Sequence, residues 1–108
     1  MFVKEINSNE LNQWLKGETP IYLVDVRSPQ EMAQASIPEG KPLPLSLLPL
    51  RIDEIPADKK VVFYCRTGAR SAQACIYMVQ QGYDNVYNLQ GGIINWARNG
   101  LPVKPMIV

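Results

Sequence analysis

The 108-residue chain contains no histidine. That absence removes Ser-His-Asp and Cys-His catalysis and takes away the commonest zinc ligand. Cysteine is scarce, with only Cys65 and Cys75, and two thiols without histidine make a poor metal site. No apolar run approaches the ~18 residues of a membrane span. The amino-terminal MFVKEINSNE lacks the apolar stretch of a secretory signal, so the cytoplasm is the expected location. Neither sign of charge dominates: 11 Lys and Arg face 10 Asp and Glu, for a net charge of +1. That balance points away from nucleic acid and anionic membranes as partners. An enzyme of this composition has to activate its nucleophile with cations and backbone dipoles, and no metal or cofactor is called for.

What is present suits one α/β domain over residues 1–108, with 46% hydrophobic and 19% charged residues. Phe2 to Ile6 alternates enough for a short strand. Asn7 or Ser8 can cap a helix through Lys16, with Leu11, Trp14 and Leu15 on one face. Ile21-Tyr22-Leu23-Val24 is a continuous apolar run ending in Asp25, as in a strand covered on both faces of a parallel sheet. Ser28-Pro29-Gln30-Glu31 predicts a helix start by capping box, with proline at the first turn. Prolines at 38, 42, 44, 49 and 56 predict irregular structure, with a short strand near Leu43 and a helical turn within 46–55. Val61 to Tyr64 is the next buried strand. Arg70 to Gln81 reads as a helix with its stripe at Ala72, Cys75, Ile76 and Val79, stopped by Gly82. Val86 to Leu89 reads as a strand, Gly91-Gly92 as a turn and Ile93 to Asn99 as a last helix. Alternating strands and helices imply a mainly parallel sheet.

The chemistry concentrates at Cys65, which follows a buried strand and precedes Arg66-Thr67-Gly68-Ala69-Arg70-Ser71. Ligands of open α/β sheets bind at the carboxyl ends of strands. A strand–loop–helix junction there aims N–H groups and a helix dipole at the loop. Both features favour a thiolate, as do two neighbouring arginines. Arg66 and Arg70 suit multidentate contact with a small anionic donor. Thr67, Gly68, Ala69 and Ser71 are expected to act through main-chain N–H groups, Gly68 by a positive φ and Ser71 also as a helix cap. Asp25 and Arg27 read as a structural pair, with Arg27 also within reach of Glu31. Cys75, Trp14 and Trp96 read as core.

At this point the chain resembles the rhodanese family of sulfurtransferases in single-domain form. Four segments carry the resemblance. They are Leu23-Val24-Asp25-Val26-Arg27 with Glu31; Ile37-Pro38 with Leu43-Pro44; Cys65 through Ser71; and Gly91-Gly92-Ile93 with Trp96 and Gly100-Leu101-Pro102-Val103. The chain departs from the family at Ala35-Ser36, where Gly-His is usual, and at Glu39-Gly40-Lys41-Pro42. Those changes bear on the shape and partner contacts of 37–48. The resemblance implies a central five-stranded parallel sheet flanked by helices, with the cysteine loop at its carboxyl edge. It also implies a Cys65 persulfide that takes sulfur from thiosulfate or a persulfide and passes it to cyanide, a thiol or a protein acceptor.

Two other classes compete. A cysteine phosphatase or arsenate reductase would need five residues between cysteine and arginine, whereas four separate Cys65 from Arg70. A persulfide carrier or interaction module would keep the fold with little turnover of its own.

Overall fold

The computed structural model describes residues 2–105. The expected domain, 1–108, therefore includes Met1 and 106–108, which lie outside the described residues. Five parallel strands form one sheet in the order β1-β6-β5-β2-β4. These are β1 (Glu5–Ile6), β2 (Ile21–Asp25), β4 (Lys41–Pro42), β5 (Lys60–Tyr64) and β6 (Val86–Leu89). Four helices accompany them, the last following β6: α1 (Ser8–Lys16), α2 (Pro29–Gln34), α3 (Ala69–Gln80) and α4 (Gly92–Arg98). None is long and apolar enough to cross a membrane.

Side chains alternate across a strand, so β5 supplies both core layers. Val61 and Phe63 face a cluster with Val24, Leu48, Cys75 and Met78. Val62 and Tyr64 face the opposite cluster with Leu11, Leu23, Leu89, Ile93 and Trp96. A strand buried on both faces cannot afford a polar face, which explains the unbroken Val-Val-Phe-Tyr run. Both predicted helix starts are present as full capping boxes, Asn7 with Glu10 and Ser28 with Glu31.

Several expectations shift. Only Glu5–Ile6 pairs in the amino-terminal segment. The short strand expected near Leu43 is the edge strand Lys41–Pro42, and the Leu43 N–H still donates to the Asp25 carbonyl of β2 at 2.9 Å. Within 46–55 the chain winds as two 3-10 segments, Leu45–Leu50 and Ile52–Glu54, with Pro49 inside the first. The buried stripe of α3 is Ser71, Ala74, Cys75 and Met78, rotated from the expected Ala72, Cys75, Ile76 and Val79. The rotation turns Ser71 inward, where its hydroxyl reaches the Cys65 sulfur. A short antiparallel ribbon joins β3 (Ala35–Ser36) to β7 (Lys104–Pro105). Two residues long and half proline, β7 offers no periodicity to detect.

A buried polar knot ties β2 to this ribbon. Arg27 donates to both Asp25 carboxylate oxygens, with Nη2 at 2.7 Å from Oδ2, and also to the Ala35 carbonyl at 2.6 Å. The Tyr64 hydroxyl donates to Asp25 at 2.8 Å and accepts the Ile37 N–H at 3.1 Å. Burial and the Asp25 carboxylate push the Tyr64 hydroxyl above its ordinary pKa, keeping it a donor. The expected Asp25–Arg27 pair is there. Arg27 touches Glu31 only at its carbonyl, 3.4 Å away, since the guanidinium is committed to Asp25.

Candidate active site

Cys65 leaves the central strand β5 and lies beneath the first turn of α3, buried. Gly68 turns the chain there with φ +110°, a left-handed conformation that L side chains rarely adopt. That turn aims main-chain N–H groups at the sulfur: Gly68 N lies 3.1 Å and Ser71 N 3.4 Å from Sγ. The Ser71 hydroxyl lies 3.3 Å from the same atom. Burial pushes the thiol pKa up. The Ser71 hydroxyl, with the N–H groups of Ser71, Gly68 and Thr67, outweighs that effect and brings it below its ordinary value.

The outer side of the loop is pinned as well. The first N–H groups of α4 hold its carbonyls, Ile93 N to Cys65 O at 3.0 Å and Ile94 N to Arg66 O at 3.2 Å. Carbonyls thus face outward and N–H groups inward. Gly92, at φ +59°, lies against this turn, and a Cβ there would sit 2.6 Å from the Cys65 carbonyl. No side chain fits.

The expected loop residues divide by role. Gly68, Ser71 and Thr67 engage the sulfur, and Ala69 begins α3. Ser71 does not cap the helix, because Gly68 holds the cap position and the Ser71 hydroxyl is turned inward. Arg66 is exposed and forms no ion pair among the described residues. With Glu31, Ile93, Ile94, Ala97 and Val103 it lines a groove of about 200 Å³ beside the loop. Arg70 is forked onto Glu31, at 2.7 and 2.8 Å. Arg70, with the Ser28 cap, holds the Glu31 carboxyl down to about 2.

Two participants escaped the sequence reading. Asn88, buried on β6, donates to Glu5 at 3.0 Å and to the Gly68 carbonyl at 3.2 Å, and accepts the Ser71 hydroxyl. An asparagine inside an apolar strand was the available signal. Glu31 fills its expected place in the capping box, while its pairing with Arg70, 39 positions away, leaves no local pattern. Cys75 is core, its thiol pushed up to about 12 by burial.

A nucleophile so held can attack a sulfur or another soft electrophile and carry the product as an anion within the loop. The Rhodanese-like domain family model matches residues 7–99. A sulfurtransferase of Allochromatium vinosum is 55% identical over 101 residues, covering 94% of each chain. Among solved structures, a rhodanese-related protein of Thermoplasma volcanium superposes with TM-score 0.82 at 32% identity, covering 94% of this chain and 97% of that one. A rhodanese-like domain protein of Staphylococcus aureus gives TM-score 0.85 at 31% identity, covering 94% and 99%. With the match spanning most of its length and a sulfurtransferase so similar to it, the chain belongs to the rhodanese-like family and has a sulfur-transfer role.

Proposed function

We propose that the chain moves a sulfane sulfur through a persulfide on Cys65. The carrying observation is a buried Sγ that accepts main-chain N–H groups from Gly68 and Ser71, with its pKa held below the ordinary thiol value. The Cys65 thiolate attacks the outer sulfur of the donor. The donor's S–S bond breaks as the new one forms, and its electron pair leaves with sulfite from thiosulfate or with a thiolate from a persulfide. The Cys65 persulfide anion then gives its terminal sulfur to cyanide or a thiol, small or protein-borne, and the Cys65 thiolate returns. Both half-reactions keep one negative charge in the loop, where the inward N–H groups need no rearrangement to hold it. Arg66 and Arg70 flank the donor's approach. The four-residue spacing from Cys65 to Arg70 favours a ring fitted to one sulfur over the wider cradle of a phosphatase. Two free thiols suit the reducing cytoplasm, the proposed location.

The test is intact-mass analysis after brief treatment with thiosulfate or cysteine persulfide. We expect the gain of one sulfur atom on wild type and on Cys75→Ser, and none on Cys65→Ser. Loss of the added sulfur on adding cyanide, with thiocyanate formed, completes the cycle. A folded Cys65→Ser protein that still turns over thiosulfate would overturn the reading.

A further inference from the structure

The cation count at the site does not match the arginine count. Three guanidinium groups stand near the cysteine loop, on Arg27, Arg66 and Arg70. Arg27 is taken up by Asp25 in the buried knot. Arg70 is taken up by Glu31, each carboxylate oxygen accepting one guanidinium N–H. Glu31 is itself held in place, since its Oε1 accepts the Ser28 N–H at 3.1 Å and the Ser28 hydroxyl at 3.0 Å. The pair is therefore a built clamp rather than a chance surface contact. Of these three guanidinium groups, Arg66 is the one left without an ion pair among the described residues. Glu31 and Arg66 both line the groove beside the loop, whose remaining wall includes Ile93, Ile94 and Ala97.

Given the sulfur-transfer reading on which it rests, we propose that Glu31 is a specificity-determining residue. By holding Arg70 it sets the site against the dianion thiosulfate and in favour of organic persulfides. Thiosulfate brings two negative charges to a mouth with one unpaired cation and a fixed carboxylate. Cysteine persulfide brings one net negative charge, because its ammonium offsets its carboxylate, and it has a carbon body to lie on the apolar wall. Thiosulfate gains Arg70 only by breaking a two-bond ion pair, and it then exposes Glu31 as an unpaired like charge beside itself. Glu31→Gln removes that barrier. The glutamine carbonyl can still accept from Ser28, so the helix cap survives, while the neutral amide cannot hold a guanidinium as a fork.

The experiment follows the rate at which Cys65 gains one sulfur atom by mass, with thiosulfate and with cysteine persulfide as donors. Wild type, E31Q, R70Q and the E31Q/R70Q double variant are compared. We expect E31Q to raise the thiosulfate rate about 10-fold, the order of one charge-assisted contact recovered. It should raise the thiosulfate rate at least about five times more than the persulfide rate, and the gain should vanish in the double variant because it runs through the released Arg70. E31M, which removes the charge by a different side chain, is held to the same outcomes. An E31Q or E31M rate with thiosulfate at or below wild type overturns the proposal, as does a gain that survives loss of Arg70. Absence of any mass gain on wild type with either donor overturns the sulfur-transfer reading itself.

Discussion

Cys65 is subject to opposing influences, and the balance between them sets the pH range of its chemistry. Burial alone would keep the thiol neutral; the Ser71 hydroxyl and three N–H groups tip it toward the thiolate. The hydroxyl is not wholly at the sulfur's disposal, because Asn88 also accepts from it. The Asn88 amide cannot turn to relieve this, since its nitrogen already donates to Glu5 and Gly68. We expect alkylation of Cys65 by neutral iodoacetamide to reach half its limiting rate at a lower pH than for an ordinary cysteine. Ser71→Ala should move that midpoint upward, and an unmoved midpoint would show that the N–H groups act alone. The stability sign follows. A thiol whose folded pKa is depressed contributes stability above its unfolded pKa, and that contribution is lost as pH falls through the lowered value. At this scale the sequence exposed the proposed nucleophile, Cys65, and its glycine turn. It hid Asn88 and the Glu31–Arg70 fork, because contacts made by side chains 17 and 39 positions apart obey no local period.

At the scale of elements, the loop is a joint between β5, α3 and α4, and α4 is the less obvious member. Two N–H groups of its first turn, those of Ile93 and Ile94, are satisfied by the carbonyls of Cys65 and Arg66 rather than by a side-chain cap. This close approach requires Gly92, whose added Cβ would meet the Arg66 and Cys65 carbonyls. We expect Gly92→Ala to cost at least ~2 kcal/mol in urea unfolding, from the left-handed φ and from the displaced turn together. Cys65 persulfidation should slow in the same variant, because the N–H groups lose their aim. A variant as stable and as active as wild type would show that α4 does not brace the loop. Gly91 was legible as a turn, whereas Gly92 already opens α4; the cap at Asn7 or Ser8 and the capping box at Ser28 gave two helix starts closely. The α3 stripe departs from the hydrophobic pattern because its burial does not follow hydrophobicity alone. Ser71 is buried for its hydroxyl, and Ala74 for its small size against the sheet.

For the whole molecule, the sheet and the arm formed by α2 and β3 meet at the buried knot of Asp25, Arg27 and Tyr64. The knot bridges β2, β5 and the Ala35 carbonyl, so it fixes where the helix carrying Glu31 sits relative to the cysteine loop. Asp25→Ala should cost ~3–5 kcal/mol, because it strands a buried guanidinium and leaves Tyr64 without its acceptor. Asp25→Ala with Arg27→Leu should cost less than the sum of the single changes, since no unpaired charge remains; additive costs would mean the two side chains act independently. The parallel sheet was readable from alternating strands and helices. The order of its strands was not, because register depends on which apolar faces meet across the whole chain. That order has a further consequence. Cys65 hangs from β5, the middle strand, while the shortest strands of this sheet, β1 and β4, lie at its rims. Partial opening of a protein begins where few contacts are lost, at rims and short ribbons. Warming should therefore fray the borders while the centre stays intact, and the sulfur-bearing loop should be among the last parts of the molecule to fail.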